Sequence, residues 1–147
     1  MLSKRTVARG ACFADYDNDG KTDAFVVNLG EKGTLVHNIS QNTGHWIAVK
    51  LVGAMRPGDQ KIAADSPGAR SNRDGIGARV EVFAGGKRWT AERVASSGYL
   101  SQDDGRLHFG LGAATKIDKI LVHWPSGREQ TLENVGVDRI LTIEEPK

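Results

Sequence analysis

Short runs in which apolar and polar residues alternate dominate the chain. Residues 46–52 place aliphatic side chains on one face and Lys50 on the other, which is the pattern of a half-buried strand. Residues 78–83 alternate in the same way, and residues 84–87, with two adjacent glycines, then predict a tight hairpin turn. No segment sustains a helical period beyond two turns. The pattern therefore predicts an all-β protein.

About ten strands are expected, and their spacing is typical of a sandwich or barrel. The predicted strands are residues 11–14, 24–28, 34–38, 46–52, 78–83, 88–94, 107–111, 117–124, 129–135 and 139–144. The predicted fold is an antiparallel β-sandwich or barrel-like domain that follows an N-terminal β-hairpin. A long insert, residues 53–71, is rich in Gly, Pro and charged residues, so we expect it to be a surface loop.

Composition limits the function classes. A chain of 147 residues is one ordinary domain, or one domain with a fragment of another. The net charge of +2 gives no general attraction to nucleic acid or to an anionic membrane. The lone Cys12 excludes an internal disulfide framework and a multi-cysteine zinc site. No apolar run approaches the ~18 residues of a membrane span, and residues 1–10 lack the apolar stretch of a signal peptide.

The most specific chemical pattern lies at residues 15–23, which we call the acidic loop. Carboxylates occupy its positions 1, 3, 5 and 9, which are Asp15, Asp17, Asp19 and Asp23. Converging carboxylates repel one another, and a hard cation with oxygen ligands, usually Ca²⁺, removes that repulsion. Gly20 allows a sharp turn through which the main-chain carbonyl of Lys21 can join the ligands. The loop therefore predicts a Ca²⁺ site.

The acidic loop differs from an EF-hand. An EF-hand places a bidentate Glu at position 12, whereas this chain has Val26 there, and residues 24–28 are predicted to form a strand and not a helix. The alternative interpretation is a solvated hairpin turn, because Asp, Asn and Gly dominate turns in any case.

Several stretches resemble known families. Residues 13–20 resemble the end of an FG-GAP/VCBS repeat, which is a β-propeller blade unit with a calcium loop. Five further stretches resemble the ASPIC/UnbV domain, which is found after such repeats in cartilage acidic protein and bacterial relatives. These stretches are residues 45–51, 71–80, 97–102, 108–112 and 122–127. The resemblance implies a terminal repeat fragment over residues 1–44, an ASPIC/UnbV-like β domain over residues 45–147, and the Ca²⁺ ligands already named.

The same resemblance implies a biological setting. It implies a non-enzymatic recognition or adhesion module, secreted, periplasmic or on the cell surface, that binds a glycan or a protein. Several upstream propeller repeats that normally accompany the family are missing from this chain. We therefore expect exposed sheet edges, which could pair with a second copy.

Other site residues are predicted less specifically. Polar loops could bind a ligand through Asn72, Arg73, Asp74, Tyr99, Gln102 and Asp103, or these residues could cap turns. A carbohydrate-active hydrolase, or an accessory domain of one, is the alternative, because adjacent Asp103 and Asp104 offer two acids. RNA binding is a weaker alternative given the near-neutral charge. The four histidines are scattered, and we interpret them as packed or rim residues and not as metal ligands.

Overall fold

The computed structural model describes residues 5–55, 59 and 69–146, so most of the predicted insert lies outside the described residues. The chain forms two compact units. The first unit contains Met1–Asn42 and Ala95–Asp104, and the second contains Thr43–Val94 and Gly105–Lys147.

Within the described residues the regular structure consists of strands, which confirms the predicted all-β class. The strands are β1 (Ala8–Ala14), β2 (Asp23–Asn28), β3 (Thr34–Val36), β4 (His45–Val52), β5 (Arg79–Ala84), β6 (Lys87–Glu92), β7 (Leu107–Gly112), β8 (Lys116–His123), β9 (Glu129–Gly136) and β10 (Arg139–Glu144). None of the described segments is a helix long and apolar enough to cross a membrane.

The first unit is built on a three-stranded antiparallel sheet in the order β1-β2-β3. The acidic loop connects β1 to β2. The segment Ala95–Asp104 is tied to β1, because the Phe13 amide donates to the Asp103 carboxylate (2.8 Å) and the Asp104 amide donates to the Phe13 carbonyl (3.0 Å). A sequence-distant segment therefore holds the edge strand from which the acidic loop begins.

The second unit is a β-sandwich. A three-stranded sheet, β10-β4-β7, and a four-stranded sheet, β6-β5-β8-β9, contribute apolar side chains to one core. Apolar positions of the alternating strands face this core. They include Ile47, Val49, Val80, Val82, Phe109, Ile120, Val122 and Ile143. Gly85 and Gly86, at φ 54° and 74°, form the two-residue turn between β5 and β6. The predicted sandwich and this hairpin are both confirmed.

One pair of described strands departs from the predicted antiparallel arrangement, since β10 runs parallel to β4. The chain crosses from the four-stranded to the three-stranded sheet between β9 and β10, so no tight hairpin imposes antiparallel pairing. Asp138, at φ 56°, stabilises this crossing: its amide donates to the Trp46 carbonyl (2.7 Å) and its carboxylate accepts from the Trp46 amide (3.1 Å).

A buried carboxylate joins distant segments of the second unit. Glu145 is 5% exposed and accepts hydrogen bonds from the Ala54 amide (2.7 Å) and the Ser71 amide (2.9 Å). The hydroxyls of Ser71 and Ser126 also donate to it. Four donors surround this carboxylate, so its charge is compensated although it is buried.

Candidate metal centre

The conformation of the acidic loop is fixed by its first residue. Asp15 accepts hydrogen bonds from the amides of Asp19 (3.0 Å) and Gly20 (2.9 Å), which fold the chain back over its carboxylate. Asn18 and Gly20 have φ values of 62° and 86°, in the left-handed region that Asn and Gly tolerate best. The turn predicted at Gly20 is therefore present.

The closing residue of the loop, Asp23, is the first residue of β2. Its carboxylate accepts hydrogen bonds from the amides of Asn38 (2.7 Å) and Tyr16 (3.3 Å). Asp15 and Asp23 are only 4% and 3% exposed. Burying two carboxylates costs free energy that hydrogen bonds offset in part and a cation would offset further.

The loop brings carboxylate oxygens together in space. One oxygen from each of Asp15, Asp17 and Asp23 lies within 4.8 Å of the others. Two oxygens that are each about 2.4 Å from the same ion can be at most about 4.8 Å apart. The donor set consists of oxygen alone, which suits a hard cation such as Ca²⁺. These three predicted ligands therefore fit a shared ion in both chemistry and separation.

The Lys21 side chain pairs with the remaining carboxylate. Its Nζ lies 2.6 Å from Asp19 Oδ2, and its amide donates to Asp19 Oδ1 (2.9 Å). The hydrogen bond from the Lys21 side chain lowers the pKa of the Asp19 carboxyl below its usual value. Lys21, which we predicted as a ligand through its carbonyl, therefore also supplies a counter-charge beside the site.

His37 adds a residue that the sequence analysis did not assign to the site. Its Nδ1 lies 3.8 Å from Asp17 Oδ2, 3.7 Å from Asp23 Oδ1 and 2.9 Å from the Tyr16 hydroxyl. Asp17, Asp19 and His37 form a second group of ligand atoms within 4.8 Å of one another. The signal that could have placed His37 at the site is the pairing of β2 with β3. This pairing puts His37, which follows β3, beside Asp23, the first residue of β2.

The C-terminal half of the chain matches a known protein family. The family described as ASPIC and UnbV matches residues 68–147, which is more than half of the chain. The chain belongs to the ASPIC and UnbV family. The predicted resemblance to this domain is thus confirmed over the matched residues. No curated protein matches the chain.

All six predicted ligand-binding residues lie within the ASPIC and UnbV match, and three of them, Asn72, Arg73 and Asp74, lie in the second unit. The Asn72 side chain closes a turn: its Nδ2 donates to the Ile76 carbonyl (2.7 Å) and its Oδ1 accepts from the Ile76 amide (2.9 Å). Arg73 and Asp74 form an exposed ion pair (3.0 Å), and the hydrogen bond from Arg73 lowers the pKa of the Asp74 carboxyl. Asn72 therefore shapes the turn, while the other two face solvent.

The other three predicted ligand-binding residues lie in the first unit. Tyr99 is 75% exposed and is followed by Leu100, which is 84% exposed with a φ of 49°. Gln102 is exposed, whereas the Asp103 carboxylate accepts the hydrogen bond from Phe13 described above. The six predicted residues thus form two separate sets of three, one in each unit.

Proposed function

We propose that this chain is a non-enzymatic calcium-binding β module in which one Ca²⁺ binds the acidic loop. The observation that carries the proposal is the convergence of oxygens from Asp15, Asp17 and Asp23 within 4.8 Å. Like charges at about this distance repel by about 1 kcal/mol in bulk water, and by more where water is excluded. A divalent cation replaces that repulsion with attraction.

The proposed role of the ion is structural. Asp15 holds the loop and Asp23 begins β2, so an ion shared by both would fix the β1–β2 connection. Asp23 also accepts from the Asn38 amide, just after β3. An ion at Asp23 therefore stabilises the whole three-stranded sheet and not the loop alone.

We further propose that residues 1–44 are a terminal FG-GAP/VCBS-type repeat that precedes the ASPIC and UnbV domain. The acidic loop within an antiparallel β-meander supports this proposal. In this setting the protein acts outside the cytoplasm, as a secreted, periplasmic or cell-surface protein, in recognition or adhesion. The ligand is then a glycan or a protein.

Calorimetric titration with Ca²⁺ tests the metal proposal. We expect the wild-type chain to bind Ca²⁺ with a dissociation constant of about 1 mM or tighter, the range of extracellular calcium modules. Asp17→Asn removes a charged ligand and should weaken binding by roughly tenfold or more. Asp118→Asn changes an exposed carboxylate on β8 and should bind as the wild type does. Binding that is absent in the wild type, or unchanged in Asp17→Asn, contradicts the proposal.

A glycan array, run beside a panel of hydrolase substrates, tests the recognition proposal. Tyr99 offers an exposed ring for stacking on a sugar, and Arg73 offers an exposed charge in the other unit. Tyr99→Ala and Arg73→Ala therefore separate the two candidate surfaces, since only the variant of the true binding surface should lose signal. Turnover of any substrate by the wild type and by Asp15→Ala would instead support the hydrolase alternative.

A further inference from the structure

The second group of ligand atoms at the acidic loop contains a nitrogen. His37 follows β3, outside the loop, yet its Nδ1 lies within 4 Å of the carboxylates of both Asp17 and Asp23. We propose that His37 extends the acidic loop into a mixed nitrogen–oxygen site, formed with Asp17 and Asp19, that binds a first-row divalent ion such as Zn²⁺. The inference rests on the proposed metal-binding function, because both sites use the same loop.

The separations suit such an ion. Two ligands each about 2.1 Å from a tetrahedral Zn²⁺ lie about 3.4 Å apart. The Nδ1 of His37 is 3.8 Å from the nearest oxygen of Asp17, so a small side-chain movement brings both atoms to the coordination distance. The side chains of His37, Asp17 and Asp19 are 38%, 34% and 31% exposed, which leaves the site open to an ion from solvent.

The donor type distinguishes this site from the calcium site. Imidazole nitrogen favours Zn²⁺ and other first-row ions, whereas Ca²⁺ prefers oxygen alone. The all-oxygen group uses Asp15 and Asp23, and the mixed group uses Asp19 and His37, but Asp17 belongs to both. Because both groups use Asp17, we expect the two ions to compete for this carboxylate.

Two existing contacts must change when the ion binds. The Tyr16 hydroxyl lies 2.9 Å from the His37 Nδ1, which is the nitrogen that would bind the metal. Tyr16 is 52% exposed, so its hydroxyl can turn to water instead. The Lys21 ammonium pairs with Asp19 at the surface and can leave in the same way.

The test is a calorimetric titration of the full chain with Zn²⁺ and, separately, with Ca²⁺. The informative variant is His37→Gln, and its matched control is His45→Gln, because the His45 side chain is similarly exposed (36%) and also pairs with an aspartate, Asp138 (2.6 Å). We expect His37→Gln to weaken Zn²⁺ binding by roughly tenfold or more and to change Ca²⁺ binding by less than about threefold. His45→Gln should leave the affinity of this Zn²⁺ site unchanged, and excess Ca²⁺ should weaken Zn²⁺ binding to the wild type.

The proposal is overturned if the wild type binds no Zn²⁺, or if His37→Gln binds Zn²⁺ as the wild type does. It is also overturned if the variant loses both ions equally, since His37 would then only support the loop. If the wild type binds Ca²⁺, Zn²⁺ binding that is unaffected by excess Ca²⁺ shows that Zn²⁺ binds at another place and contradicts the proposal too. If the wild type binds no Ca²⁺ but binds Zn²⁺ in a way that depends on His37, the calcium proposal is rejected and the zinc proposal is retained. Circular dichroism confirms that each variant is folded.

Discussion

The buried Glu145 carboxylate allows a quantitative test of the second unit. Glu145→Ala would leave the amides of Ala54 and Ser71 and the hydroxyls of Ser71 and Ser126 without their acceptor. Hydroxyls can rotate to other partners, but a buried amide left unsatisfied costs about 1–3 kcal/mol. Two such amides, together with the lost packing, lower the free energy of unfolding by about 3–5 kcal/mol. Glu145→Gln retains one oxygen acceptor and should cost about 1–2 kcal/mol.

Urea unfolding followed by tryptophan fluorescence measures this loss. All three tryptophans, Trp46, Trp89 and Trp124, lie in the second unit, so the signal reports on that unit. With a typical slope of about 2 kcal/mol per molar urea, Glu145→Ala should lower the midpoint by about 2 M. Glu144→Gln is the control, because this neighbouring carboxylate is exposed and should shift stability by less than about 0.5 kcal/mol. Equal effects at both positions would refute the argument.

The same carboxylate predicts a dependence of stability on pH. Burial raises the pKa of Glu145, but hydrogen bonds from Ser126, Ala54 and Ser71 outweigh burial and lower it below its ordinary value of 4.5. A pKa that is lower in the folded state stabilises the protein above the unfolded pKa, and this stabilisation is lost as pH falls through the folded pKa. Wild-type stability should therefore fall more steeply below pH 4.5 than that of Glu145→Gln. Parallel pH profiles of the two proteins would contradict this assignment.

Two further substitutions test local packing and charge. A Cβ added at Gly53 would fall on the carbonyl oxygen of Asn72, so Gly53→Ala should lower the free energy of unfolding by about 2–3 kcal/mol in urea. Gly136 has open space around it, so the control Gly136→Ala should lower it by less than about 0.5 kcal/mol. Equal losses at the two positions would contradict the close packing at Gly53. Lys21→Met removes the cation paired with Asp19 and should tighten Ca²⁺ binding by about threefold in calorimetry, while unchanged or weaker binding would show that Lys21 does not compete with the ion.

Much of the fold could be predicted because strand patterns are local. The alternation at residues 46–52 and 78–83 identified β4 and β5, and the two glycines after β5 identified their turn. The spacing of aspartates in the acidic loop likewise identified side chains that converge in space. In each case the information lies within a few residues of the chain, where periodicity and turn chemistry act.

The features that the sequence did not predict depend on long-range pairing. The parallel pairing of β10 with β4 depends on which of the two sheets the chain joins after Asp138. His37 joins the acidic loop only because β3 pairs with β2 in a particular register. The four donors around Glu145 come from three separate segments, and no short motif brings them together.

A titration of ¹⁵N-labelled protein with Ca²⁺, followed by amide NMR, tests the central claim most directly. The amides of Asp19 and Gly20 donate to Asp15, and those of Tyr16 and Asn38 donate to Asp23, so an ion on these carboxylates must change their environment. We predict saturable shifts at these four amides, with the sandwich amides unchanged, and their loss in Asp17→Asn. Shifts confined to other residues, or none at millimolar Ca²⁺, would contradict a calcium site in the acidic loop.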